Sequence, residues 1–184
     1  MSERDQARED ERELIRRAKE YDEAAFAEIY ERYYQSIYNY VYYRVDDGAL
    51  TEDLTSHVFL KTLESIDSFT FRQGVAFSSW LYRIANNLVI DYFRTLPRQP
   101  ALLYEDSVMS DDEGPGEALD RKLTAEQLRQ VIRHLTEEQQ QVILLKFVDG
   151  LRNQEIAPVL GKSEEAIKSL QHRAVTSLGR ILGV

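Results

Sequence analysis

The chain has 184 residues, 23 basic against 32 acidic side chains for a net charge of -9, and no cysteine. That length allows one domain or two small ones, and the missing thiols exclude a disulfide framework, a thiolate nucleophile and Cys-ligated zinc. With 43% hydrophobic residues the chain can build cores, and the absence of a membrane-length apolar run or an apolar signal core predicts a soluble cytoplasmic protein without membrane insertion.

Residues 1–20 mix both charges and predict a solvated helix or a frayed arm. From Asp22 the apolar positions tighten: Phe26, Ile29, Tyr30, Tyr33, Ile37, Val41 and Val45 recur mostly three and four apart, the mark of an amphipathic helix. Seven tyrosines lie between Tyr30 and Tyr43. Their spacing places several in the core with a wet hydroxyl, and base stacking is the alternative. Asp46-Asp47-Gly48 ends this helix, and Thr51 is the expected N-cap of the next. In that second helix Leu54, Val58, Phe59, Leu60, Leu63 and Ile66 cover more than half the circumference, so part of the surface is free to meet a partner.

A loop from Asp67 to Ala76 carries Phe69, Phe71, Arg72 and Gly74. A third helix starts near Ser78 or Ser79, with Phe77, Leu81, Ile84, Leu88 and Tyr92 on one side and Arg83, Asn86, Asn87 and Arg94 on the other. Asn and Arg are the side chains suited to adenine, guanine and phosphate, although polar residues on a solvated face are common. Trp80 packs in the core or meets an unstacked base.

Charge is unevenly spread. Residues 1–96 carry 12 basic and 18 acidic side chains, residues 97–122 carry 3 and 7, and residues 123–184 carry 8 and 7. The middle stretch also holds Pro97, Pro100 and Pro115 with Gly114 and Gly116, which reads as an acidic linker between two domains.

Beyond it, Thr124 and Gln127 have capping-box spacing ahead of Leu128, Val131, Ile132 and Leu135, and Thr136 and Gln139 repeat the signal. Val142, Ile143, Leu144, Leu145, Phe147 and Val148 predict a helix buried all round. Asp149-Gly150 stops it. Asn153 is the expected cap of a short helix ending at Gly161, and Ser163 caps a longer one with an apolar face from Ile167 to Ile181. A short helix, a tight turn and a longer helix make a helix-turn-helix, in which early residues of the second helix reach base edges, or else a plain helical hairpin. Lys168, Ser169, Gln171, His172 and Arg173 are the candidate readers. Pro158 falls inside the short helix, where it removes a donor and crowds the Gln154 carbonyl.

Taken together, Glu52-Asp53-Leu54, Val58-Phe59-Leu60-Lys61, the run Phe77 to Arg94, Leu135 to Val148, Glu155-Ile156-Ala157, Leu160-Gly161, Ile167-Lys168-Ser169 and His172-Arg173-Ala174 resemble, in order and spacing, the extracytoplasmic-function (ECF) group of bacterial RNA polymerase sigma factors. The resemblance implies an all-α protein of two small helical domains, 1–96 and 123–184, joined by the acidic flexible linker 97–122, with the helix-turn-helix in the second domain. It further implies that Asp53, His57, Val58, Leu60 and Lys61 dock on core RNA polymerase. Phe69, Phe71, Trp80, Arg83, Asn86, Asn87, Asp91 and Arg94 would engage the minus-ten promoter element, the loop holding a flipped base. Lys168, Ser169, Gln171, His172 and Arg173 would read the minus-thirty-five element. Polymerase would supply most of the positive surface and the chemistry, since a chain this acidic should bind free DNA poorly. Control by an anti-sigma factor is a further family expectation.

The chain departs from the family pattern at Asn86, where Arg is usual, at Glu165-Ala166-Ile167, at Leu170, where many members have Arg, and at Pro158. No cofactor, metal or catalytic residue is expected, because no nucleophile–base pair or metal-ligand spacing occurs and His57, His134 and His172 are scattered. The alternatives are a stand-alone helix-turn-helix regulator and a helical adaptor that binds only proteins.

Overall fold

The computed structural model describes residues 3–45, 47–71, 76–96 and 125–183. Among them every regular element is helical: α1 (Glu3–Lys19), α2 (Glu23–Tyr42), α3 (Gly48–Ser65), α4 (Phe77–Thr95), α5 (Ala125–Arg133), α6 (Glu137–Ile143), α7 (Asn153–Leu160) and α8 (Glu164–Leu182). The acidic stretch 97–122 and the cap expected at Thr124 lie outside the described residues.

Helices α1 to α4 form the first domain. Helix α1 is neither solvated throughout nor a frayed arm: Leu14, Ile15 and Ala18 are buried against α2. Its charged majority hid a narrow apolar stripe confined to its last turns. Asp22 caps α2, accepting from the backbone of Ala24 and Ala25. Only Tyr40 among the clustered tyrosines is fully buried. Tyr30, Tyr34, Tyr38 and Tyr42 instead stack along the side of α2, ring centroids 5.0, 5.9 and 6.2 Å apart, with Phe59 against Tyr30. Asp47, not Thr51, caps α3 by accepting from the Leu50 amide. Thr51 lies inside the helix, buried, its hydroxyl donating back to the Asp47 carbonyl. Such back-bonding lets a β-branched polar residue sit in a core.

Helices α5 to α8 form the second domain. The Thr136–Gln139 capping box starts α6 as the spacing predicts. Helix α6 continues as a π-helical segment, Leu144–Val148, and this changes the expected all-round burial. Val142 to Leu145 are buried, but the wider turn swings Phe147 and Val148 outward, Phe147 to 62% exposure. Arg152, not Asn153, is the cap of α7, its amide held by the Glu155 carboxylate. Pro158 leaves α7 a continuous helix. Gly161 closes it at φ 63°, a conformation that favours glycine, and the Ser163 hydroxyl then caps α8.

The two domains meet mainly along α4 and α7. Around that seam the Arg44 guanidinium reaches Glu137 at 3.3 Å, the Tyr42 hydroxyl donates to Glu126, and the Arg129 guanidinium donates to the Val45 carbonyl while lying over the Tyr42 ring.

Candidate polymerase and promoter interfaces

Helix α3 is held to α2 and α4 by Leu54, Val58 and Phe59. Its opposite side presents Asp53, His57, Leu60, Lys61 and Leu63 to solvent, with Leu60 at 50% exposure. An apolar ridge ringed by charge is the surface anticipated for a partner. Val58 does not belong to it: the side chain is fully buried, and its role is to seat the helix.

The loop after α3 begins with a single 3-10 turn, Ile66–Ser68. Phe69 turns inward, packed on Phe77 at 5.1 Å and Trp80 at 5.4 Å between centroids. Phe71 stands outside, edge-on to Phe69, and Trp80 is half-buried. Phe69 is therefore the base of the loop rather than a contact surface, while Phe71 and Trp80 keep accessible ring area. Arg72 and Gly74 lie outside the described residues.

Helix α4 carries Arg83, Asn87, Asp91 and Arg94 as one exposed stripe, with Arg94 and Asp91 paired at 3.4 Å. Asn86 departs from the expectation. It is buried, and its Oδ1 accepts from the Arg44 guanidinium at 2.8 Å and the Tyr40 hydroxyl at 3.1 Å. Helix α4 packs on α2 and α3 along one side and on α7 along another, so a polar residue between those sides becomes interior. Asn86 thus neutralises no phosphate; it supplies an acceptor to a buried cation, and Arg at this place would meet Arg44 instead.

On α8, Ile167, Leu170 and Ala174 face the core. Leu170 is buried, so its departure from the family's Arg removes nothing from the exposed surface. Lys168, Ser169, His172 and Arg173 are exposed on the other side. Gln171 is partly enclosed and exchanges hydrogen bonds with Asn153 of α7, at 2.9 and 3.4 Å, which ties the two helices of the turn together.

Sequence reasoning missed Arg44, Glu137 and Asp149. Asp149 ends the π-helical segment with its Oδ2 fully enclosed and without a partner, facing the Tyr82 hydroxyl of α4. Burial pushes its carboxyl up to about 7, opposed by that hydroxyl, and the Tyr82 phenol is itself pushed up by burial. All three are defined by proximity to distant partners rather than by pattern, so no spacing in the sequence announces them. No group of three or more metal-ligating side chains occurs among the described residues, and none of their helices is long and apolar enough to cross a membrane.

The fold is two helical domains, the first with an aromatic loop before a polar helix and the second ending in a helix-turn-helix. The model of sigma-70 region 2 matches residues 29–99, and that of sigma-70 region 4 matches residues 125–178. The chain is 38% identical over 172 residues to the ECF RNA polymerase sigma factor BldN of Streptomyces coelicolor, covering 92% of this chain and 65% of BldN. It is 32% identical over 162 residues to the ECF sigma factor SigX of Bacillus subtilis, covering 85% and 82% of the two chains. The solved structure of CnrH in complex with the cytosolic domain of CnrY shares the fold, with a TM-score of 0.71 at 22% identity over 94% of this chain and 96% of that one. The same fold recurs in RpoE, solved with the anti-sigma factor NepR from Bartonella quintana, at a TM-score of 0.67 and 21% identity over 86% and 97%. The chain belongs to the ECF RNA polymerase sigma factors, the family of promoter-specificity subunits. Relatives of this kind do not favour the stand-alone regulator.

Proposed function

We propose that this chain binds core RNA polymerase in the cytoplasm, directs it to specific promoters and assists their opening, and is itself no enzyme. The domains are 1–96 and 123–184, joined by residues 97–122. The α3 ridge of Asp53, His57, Leu60 and Lys61 takes the polymerase, and Leu63 extends it. Phe71, Trp80, Arg83, Asn87, Asp91 and Arg94 take the minus-ten element, with the loop receiving an unstacked base. Unstacking costs on the order of a few kcal/mol, and an aromatic pocket offsets part of it. Lys168, Ser169, His172 and Arg173 take the minus-thirty-five duplex, with Gln171 holding the turn. The observation that carries this reading is the pair of region matches in order, each ending on a helix with an exposed polar stripe.

An acidic subunit gains little from free DNA, because phosphate neutralisation dominates non-specific affinity. Promoter binding therefore belongs to the complex with polymerase, which also performs nucleotidyl transfer. An anti-sigma partner is part of the proposal, in keeping with structural neighbours solved in complex with CnrY and NepR. The test is in vitro transcription from a genomic promoter library by core polymerase with and without this chain. Promoter-dependent transcripts and a shared motif are expected; failure to bind core polymerase overturns the reading.

A further inference from the structure

The corner between α1 and α2 is built in an unusual way. The Tyr21 amide donates to the Ala18 carbonyl and the Asp22 amide to the Arg17 carbonyl, the two bonds of a Schellman helix stop. The left-handed residue of that stop is ordinarily glycine. Here it is Tyr21, at φ 59°, the one non-glycine residue with positive φ among those described. A bulky side chain adopts this conformation rarely. Its hydroxyl is spent on a distant segment: it donates to Asp67 Oδ2 at 3.1 Å. Two residues earlier, the Lys19 ammonium donates to the backbone carbonyls of Phe69, at 2.5 Å, and Asp67, at 3.3 Å. Further back on α1, the Arg12 guanidinium lies 5.7 Å from the centre of the Phe71 ring. The corner is itself clamped, because Arg17 pairs with Asp22 at 2.7 Å while Asp22 caps α2.

These contacts come from two side chains of the corner, Lys19 and Tyr21, and from Arg12 two turns earlier on α1, and they converge on Asp67, Phe69 and Phe71. A helix stop needs none of them, and glycine would make it with less strain. The loop, by contrast, gains fixed carbonyls at its base and a fixed position for the exposed Phe71 ring.

Resting on the sigma-factor reading, we propose that Lys19 and Tyr21 are positioning residues for promoter recognition: the α1–α2 corner sets the place of the Asp67–Phe71 loop, and through it the choice of the base captured from the opened minus-ten strand. Neither residue touches the base. A side chain binding two backbone carbonyls fixes the chain whatever the loop side chains are, so the same corner can serve loops of different sequence.

The test uses full-length chain with core polymerase and a duplex promoter pool randomised across the minus-ten element, selected for open complexes. Tyr21→Gly relieves the left-handed strain and deletes the hydroxyl; Tyr21→Phe deletes the hydroxyl alone; Lys19→Ala deletes the clamp, and Lys19→Arg restores its donors. The expected result is a loss of about fivefold or more in base preference at the captured position for Tyr21→Gly, Tyr21→Phe and Lys19→Ala. Thermal stability of Tyr21→Gly and core affinity of all three should hold, with rescue by Lys19→Arg. Unchanged base preference in these variants overturns the proposal. So does a Lys19→Ala variant whose only change is a salt slope shallower by about one phosphate contact, since Lys19 would then be binding DNA directly. A wild-type complex that selects no promoter overturns the sigma-factor reading itself.

Discussion

Helices α4 and α8 are the two proposed readers of DNA, and they were built under different constraints. Helix α8 serves one core, so its buried face of Ile167, Leu170 and Ala174 and its exposed face of Lys168, Ser169, His172 and Arg173 divide cleanly. Helix α4 serves two, packing on α2 and α3 and also on α7. Its polar positions split accordingly, with Arg83, Asn87, Asp91 and Arg94 outside and Asn86 inside. A helix with one packed side can be read by period alone. One with two packed sides needs its neighbours, because polar residues then become structural.

The sharpest way to break that contrast is at Asn86. Replacing it with Leu strips the 2.8 Å acceptor from the buried Arg44 guanidinium. Glu137 and the Tyr40 hydroxyl still hold the guanidinium, so the loss is that of one buried hydrogen bond to a charged group, about 1.5–3 kcal/mol, which urea denaturation should show. An unchanged midpoint would mean that Arg44 finds another acceptor. Asp149 comes next. Its carboxyl rises from 3.8 to about 7 in the folded chain, so the native state holds the proton more tightly than the unfolded one. The contribution of this carboxyl to stability should therefore be most favourable in acid, fall as pH rises from about 4 towards 7, and level off above. Asp149→Asn should flatten that profile and gain about 2–4 kcal/mol at pH 8, read from denaturation midpoints across pH.

On α8 the expectation reverses. Lys168→Ala with Arg173→Ala should leave the unfolding midpoint within about 0.5 kcal/mol of wild type, as exposed substitutions do. It should nevertheless weaken promoter binding by the polymerase complex, with a salt slope shallower by about 1.8 for two duplex phosphate contacts. A stability loss without a change in slope would place these residues in the fold instead. The smallest effect belongs to α3. Leu60→Glu should lower affinity for core polymerase by about tenfold, roughly 1.4 kcal/mol, with unfolding unchanged, as a titration with labelled polymerase would report. Equal affinity would remove Leu60 from the ridge.

The helical class, the two-domain order and the helix-turn-helix were legible in sequence, because period, caps and a glycine stop are local signals. So was the excess apolar surface of α3, through Leu60 and Leu63. Cap positions slipped where two candidates stood close together: Asp47 outcompetes Thr51, and Arg152 with Glu155 outcompetes Asn153. The rest was not legible because it depends on distant partners. Val58 and Phe69 share types and periods with their exposed neighbours, and only packing tells them apart. The outward swing of Phe147 and Val148 follows from a π-helical turn that hydrophobic period does not encode.

By itself, then, the sequence determined which segments are helices, where most of them stop and which family the chain resembles, since those follow from residue types at fixed local spacing. The tertiary structure decided which polar and aromatic residues stay exposed for the proposed contacts with DNA and polymerase. It turned Asn86 into an acceptor for Arg44, put Phe69 beneath Phe71, and brought α1 onto the loop through Lys19 and Tyr21. The physical reason is that packing chooses the partner of a polar group: it lies 42 residues away for the buried Asn86, which must find one, and 46 for the exposed Tyr21 hydroxyl.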